Sequence, residues 1–234
     1  MKTAMAIVAL AFSLQATAGE IIVQKIRGDV SVRHGVTEVW SRVAQGDVLK
    51  PDDTMKTGAK GSAVLVTTAE ENYSGARKTI TLPAEVIVDL SDIRELSQEE
   101  LMLKLTMEKV RASSYQWKNE ELRIPNAAAV HGSDLSPSAL KESDSAIGIL
   151  QMNGARVLFD NGFYATCALK GLEVFRRYPT LGTEFRNRLL VAQALEKAEL
   201  RGEALGEYGA LSTMEGLTPE QQGIVKGKMQ ALRR

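Results

Sequence analysis

Between Glu20 and Leu90 apolar residues tend to return at every second position. Val30 and Val32 fall on one side of an extended chain and Asp29, Ser31 and Arg33 on the other, and Val86, Val88 and Leu90 alternate with Glu85, Ile87 and Asp89 in the same way. This period predicts half-buried strands. They are separated by His34-Gly35, Gly46-Asp47, Pro51-Asp52-Asp53 and Gly58-Ala59-Lys60-Gly61, clusters that supply a positive φ, a fixed φ or a side chain able to cap its own turn. Short strands with frequent turns predict an antiparallel β-roll or β-sandwich over residues 19–96, in which Gly28, Gly46 and Gly58 hold structural positions.

The period then changes to that of a helix, so the predicted fold class is α+β. Ser97-Gln98-Glu99-Glu100 is a capping box, in which the Ser97 hydroxyl accepts from the Glu100 amide and the Glu100 side chain reaches back to residue 97. Along the helix it starts, Leu101, Met102 and Leu105 gather on one side and Leu103, Met107 and Val110 on the other. A helix apolar on two sides is expected to be covered on two sides, which makes residues 97–125 a wedge helix and extension between the two halves of the chain. Tyr115 and Trp117 read as packing anchors within it. Residues 126–145, rich in Ala, Ser, Gly and Pro and without periodicity, read as a linker.

Residues 146–234 read as helical hairpins. Ala155 and Leu158 precede Gly162, and Tyr164, Ala168, Leu172 and Phe175 follow at i, i+4, i+8 and i+11, so two helices meet at Gly162 and the second ends before Pro179. A weaker second pair is predicted over Phe185 to Arg201 and Glu203 to Met214. In that alignment Gly202 matches Gly162 and Pro219 matches Pro179, a period of 40 that puts Glu207 where the first pair has the small Cys167. Thr218-Pro219-Glu220-Gln221 is another capping box, and the helix it opens runs toward Leu232 to cover the end of the stack.

Ahead of the strands, Lys2, the apolar stretch from Ala4 to Leu14 and the small-x-small site Ala16-Thr17-Ala18 have the form of a secretory signal over residues 1–18. The stretch is shorter than the roughly 20 residues of a spanning helix, so a periplasmic or secreted protein without a membrane span is expected. Without the signal, 28 of the 29 basic residues face 29 acidic ones, and the signs are interspersed. A basic footprint for nucleic acid is therefore absent. The single Cys167 excludes an internal disulfide and reads as a buried small apolar residue, with an intermolecular bridge as the alternative.

Residue types that carry chemistry do not assemble along this chain. The two histidines, His34 before a turn glycine and His131 in the linker, make no metal spacing with Cys167. Ser138-Ala139-Leu140-Lys141 matches an acyl-serine pattern by letter but sits in the Pro-containing linker, and Asp52-Asp53 falls far short of the six to eight oxygens of a calcium site. No cofactor is expected, and the chain reads as non-enzymatic.

Gly28, Val30 and Val32, then Gly46, Asp47 and Leu49, then Asp53, Thr57, Gly58, Ser62, Ala63 and Leu65 together resemble the FecR-type periplasmic domain over roughly residues 22–90. Ala155, Leu158, Gly162, Tyr164, Cys167, Val174 and Pro179 are similar in spacing to a tetratricopeptide unit. The first resemblance implies an exported sensing or docking module. The second implies a protein partner held by helical repeats, whose stacked hairpins offer a concave groove. The alternative places a small molecule or glycan on the β-rich domain, with the polar insertion of residues 67–78 as its lip and Tyr73 and Arg77 as its candidate contacts.

Overall fold

The computed structural model describes residues 20–67, 77–121 and 137–234, with side chains omitted for 114–121 and 137–144. The N-terminal half consists of two antiparallel four-stranded sheets. Strands β1 (Ile21–Arg27), β4 (Val48–Leu49), β6 (Ser62–Thr67) and β7 (Thr79–Leu82) form one in the order β4-β1-β6-β7; β2 (Val30–Arg33), β3 (Ser41–Arg42), β5 (Thr54–Thr57) and β8 (Val86–Asp89) form the other in the order β3-β2-β5-β8. The expected alternation is visible in what each strand buries: Ala63 and Leu65 from β6, Ile80 and Leu82 from β7, Val30 and Val32 from β2. These side chains join one continuous apolar cluster that both sheets share. In β1 the register shifts between Val23 and Lys25, a β-bulge that lets Ile26 rather than Lys25 follow Ile21 and Val23 toward the core.

Two turns interlock at one end of the sheets. Gly28 has φ +64°, and a Cβ there would stand 2.1 Å from the Lys60 carbonyl oxygen, so both backbone conformation and space require glycine. The Gly58 amide in turn donates to the Asp29 carbonyl at 2.9 Å.

Beyond a 3-10 turn at Leu90–Asp92, the helical half contributes α1 (Gln98–Glu121), α2 (Pro137–Asp160), α3 (Tyr164–Arg177), the short α4 (Pro179–Gly182), α5 (Phe185–Lys197), α6 (Arg201–Ser212) and α7 (Pro219–Leu232). Helix α2 begins at Pro137, inside the span expected to be a linker: Pro is well suited to a first helical turn, and the composition of residues 137–145 hid the helix.

The halves dock, but not through the expected wedge. Helix α1 buries Leu101, Leu105 and Glu108 and packs against α3, while Met102, Leu103, Met107 and Val110 remain exposed. Over its described side chains it is covered on one side, not two. The docking element is α2, which lies on β8. Gly154 makes the approach possible, since a Cβ there would meet the Ile87 carbonyl oxygen at 2.0 Å, and Asn153 beside it donates to the Glu85 carbonyl at 2.9 Å. This contact explains why Ile87, expected to face outward with Glu85 and Asp89, is buried together with Val86 and Val88.

The helical repeat is clearer in three dimensions than in one. At the end of α2, the Asn161, Gly162 and Phe163 amides donate to the carbonyls of Val157, Phe159 and Leu158; at the end of α5, Ala198, Glu199 and Leu200 donate to Ala194, Glu196 and Leu195. The turns match residue for residue at a spacing of 37, from 162 to 199, and φ is positive at both Gly162 and Glu199. The same spacing pairs Ala155 with Ala192, Leu158 with Leu195, Cys167 with Ala204 and Val174 with Leu211, all buried. The period of 40 is thus corrected to 37. Gly202 lies in the first turn of α6, and the small-residue position belongs to Ala204, not Glu207.

Candidate functional site

The first helices of the two hairpins, α2 and α5, lie side by side in contact. Their inner faces are fixed by the repeat residues Ala155, Leu158, Ala192 and Leu195, which leaves the next positions around each helix to line a groove. The groove has a volume of about 370 Å³ and is lined by Arg156, Arg186, Leu189, Leu190 and Gln193. Among the described residues neither Arg156 nor Arg186 has a carboxylate within ion-pair distance, unlike Arg94, Arg176, Arg177 and Arg188. Two guanidinium groups beside leucine side chains can take a carboxylate in a bidentate hydrogen bond while an apolar side chain is buried next to it. Sequence inspection missed this groove. The signal available was Arg156 directly after the repeat residue Ala155, with Gln193 in the equivalent place after Ala192.

A second charged centre stitches the two halves together. Lys170 on α3 places its ammonium 2.7 Å from Asp89 of β8, 2.8 Å from Glu173 one turn on, and 3.4 Å from Asp92 of the 3-10 turn. Asp89 also accepts from the Thr54 hydroxyl at 2.7 Å, and Thr54 accepts from Arg33 at 3.3 Å, so the network reaches across the second sheet. Burial alone would pull the lysine down, but three carboxylates outweigh it and its pKa is raised. Asp89 and Glu173 are held below their ordinary values because the Lys170 ammonium overcomes the burial that would raise them. Asp92 behaves oppositely: burial pushes it up to about 6, and the neighbouring Asp89 and Glu173 charges add to what Lys170 fails to offset. Its Oδ2 is sealed from solvent without a hydrogen-bond partner, because the 3.4 Å approach of Lys170 is not one of hydrogen-bonding geometry. A lysine already fills the centre of these carboxylates, so the arrangement is a structural clamp. Its signal in the sequence was a lysine at helical spacing from Cys167 and Val174, on the stripe the helix buries.

The residues singled out from the sequence are dispersed. Tyr73 lies outside the described residues, and Arg77 is exposed at the edge of that span, far along the chain from the groove. Gly28 and Gly58 form the interlocked turns, and Gly46 has φ +94° in the turn before β4. The Ser97 hydroxyl accepts from the Glu100 amide at 3.2 Å as expected, but the Glu100 carboxylate is engaged by Arg94 and Lys104. Gly162 closes the first hairpin and Pro179 opens α4. Cys167 is a free, fully buried thiol whose pKa is pushed up to about 12, first by burial and then by the Asp160 charge. His34, set aside for metal binding, hydrogen-bonds through Nδ1 to the buried Asp53 at 2.8 Å, while the other Asp53 oxygen accepts from the Lys50 amide at 2.9 Å. Among the described residues no cluster of His, Cys, Asp and Glu has the arrangement of a metal site, and no helix is long and apolar enough to cross a membrane.

No family model matches the chain, and neither the curated proteins nor the solved structures include a significant match to it.

Proposed function

We propose that this chain is an exported, non-enzymatic sensing or scaffold protein that holds a protein partner through its helical half, in the groove between α2 and α5. The observation that carries the reading is the pair Arg156 and Arg186, two guanidinium groups without carboxylate partners among the described residues, flanking Leu189 and Leu190. Charged side chains left unpaired beside apolar ones gain most from a partner that supplies the opposite charge and covers the apolar surface. The partner segment therefore carries a carboxylate next to an apolar side chain. The FecR-like reading of the β-rich half is supported by the place of two glycines that carry the resemblance, both in the interlocked turns: Gly28 lies against the Lys60 carbonyl, and the Gly58 amide donates to the Asp29 carbonyl. Export rests on the pattern of residues 1–18.

Removing residues 146–234 is not a clean test, because it also strips α2 from β8 and uncovers Ile87. The test is a pull-down from periplasmic extract with residues 19–234 and with the same chain carrying Arg156→Glu and Arg186→Glu, bound proteins being identified by mass spectrometry. The wild type should retain a protein that the double variant loses, with the helical circular dichroism of both unchanged. Equal capture by the two chains would remove the groove from the proposal.

A further inference from the structure

The outer face of the second sheet is covered at β8, where α2 lies, and open toward β3 at the opposite edge. Register places Arg42 of β3, Ser31 of β2 and Lys56 of β5 side by side on this face, with Arg33 opposite Thr54 in the next row. Trp40, directly before β3, folds onto the same face: the Lys56 ammonium stands 4.5 Å and the Arg33 guanidinium 5.4 Å from its ring centre. Among the described residues no carboxylate lies within ion-pair distance of Arg33, Arg42 or Lys56, and Asp89, the carboxylate of the Arg33 row, is held by Lys170 and Thr54. The loop that leads from β2 to Trp40 carries the two most exposed large apolar side chains among the described residues, Val36 fully exposed and Val39 at 75%. The His34–Asp53 hydrogen bond ties the turn of residues 50–53 to this loop. With the charges of that turn included, Arg33, Arg42, Lys50 and Lys56 stand against the exposed carboxylates of Glu38 and Asp52, while Asp53 is buried against His34. The near neutrality of the whole chain conceals this local excess of positive charge.

We propose that the corner formed by the loop of residues 34–40 and the open part of the second sheet docks on the surface of an anionic phospholipid bilayer, with Val36 and Val39 entering the boundary of headgroups and acyl chains and Arg33, Arg42 and Lys56 facing lipid phosphates. Trp40 joins the two sets, and an indole, apolar in body with one N–H, is suited to that depth. Two valines alone give a weak attachment, and each basic residue near an anionic surface strengthens it several-fold. An acidic polysaccharide would neutralise the cations but leave both valines in water, and a protein partner would need a socket for each of them. A fluid bilayer closes around side chains that stand clear of the surface, so it matches the apolar and the charged observation together. The docking is peripheral, lies on the β-rich half and does not depend on the α2–α5 groove.

The test is co-sedimentation of residues 19–234 with sucrose-loaded vesicles, one set of phosphatidylcholine alone and one containing about one third phosphatidylglycerol. Binding should be confined to the anionic vesicles. It should weaken at least about tenfold in Arg42→Glu with Lys56→Glu and at least about threefold in Val36→Asn with Val39→Asn, the circular dichroism of both variants matching that of wild type. With Trp117→Phe as background, the Trp40 emission should move to shorter wavelength on the anionic vesicles as its ring leaves water. A wild type that stays in the supernatant overturns the proposal, as does equal binding to the two sets of vesicles or a double variant that binds as wild type does. Bound chain with unchanged Trp40 emission would put the membrane contact elsewhere and overturn it too. Dextran sulfate supplies the contrasting arm: a chain that binds it but not the anionic vesicles uses this surface for an acidic polysaccharide, and the bilayer is wrong.

Discussion

Cys167 shows how much one buried side chain decides. Its thiol is sealed between the helices of the first hairpin, and a pKa near 12 leaves almost no thiolate at neutral pH. Native protein should therefore react with a thiol reagent at a rate set by unfolding, and at full speed in denaturant; rapid native labelling would contradict the packing. Asp92 yields a pH dependence. Its folded pKa of about 6 lies above its ordinary 3.8, so the folded state binds the extra proton and Asp92 opposes folding fully above pH 6 and not at all below about pH 4. Asp89 and Glu173, lowered by Lys170, act in the other direction and lose stabilisation as the solution is acidified. Asp92→Asn isolates the first effect. Denaturant melts should show it more stable than wild type at pH 8, by up to about 3 kcal/mol for a shift of this size, with the gain vanishing by pH 4. A gain independent of pH would assign the effect to packing instead.

At the scale of elements, alternation and turn residues made the strands legible, because each sheet has a face toward the shared core and the period of two survives. The bulge in β1 and the second burial of β8 were not legible, since both are set by neighbours distant in sequence. Capping patterns varied with their surroundings. The Thr218 box forms completely, with Gln221 and Thr218 exchanging bonds of 3.0 and 3.2 Å, whereas at Ser97 the nearby Arg94 and Lys104 compete for the glutamate. The second hairpin is hidden in the sequence because its turn uses Glu199 where the first uses Gly162, while the nearby Gly202 lies in the first turn of α6. This substitution has an energetic consequence. A non-glycine residue at φ +62° is strained, so Glu199→Gly should raise stability by about 0.5 to 1 kcal/mol despite its entropic cost, measured as a shift in the denaturant midpoint. No stabilisation would mean that the Glu199 side chain offsets the strain.

At the scale of the whole molecule, the sequence suggests docked halves but points to α1 for the contact, because apolar residues on two sides of a helix do not reveal which side has a neighbour. The contact is made by α2 on β8, and a glycine, not a large apolar side chain, permits it. Absence of a side chain leaves little trace in a hydrophobic pattern, which is why the sequence could not point to Gly154. The groove at Arg156 and Arg186 was equally hidden, since it depends on α2 and α5 being neighbours at a repeat spacing that was misread.

The seam between the halves should govern cooperativity. Its apolar contact at Gly154 and Ile87 joins α2 to β8, and its ionic contact at Lys170, Asp89 and Asp92 joins α3 to β8 and the 3-10 turn, so neither half unfolds without exposing part of the other. Trp40 reports the β-rich half, with the Lys56 ammonium 4.5 Å from its ring centre, and far-ultraviolet circular dichroism reports the helices. With Trp117→Phe as background, so that Trp40 is the sole tryptophan of the two in the chain, both probes should trace one transition. Gly154→Val brings side-chain atoms against a carbonyl oxygen that a single Cβ would already meet at 2.0 Å, so it must push α2 off β8. The two transitions should then separate, the fluorescence midpoint falling further because β8 loses its outer cover while the helical core around Tyr208 and Leu195 is untouched. Coincident and unshifted curves in the variant would show that the halves are coupled through the Lys170 clamp and not through the α2–β8 contact.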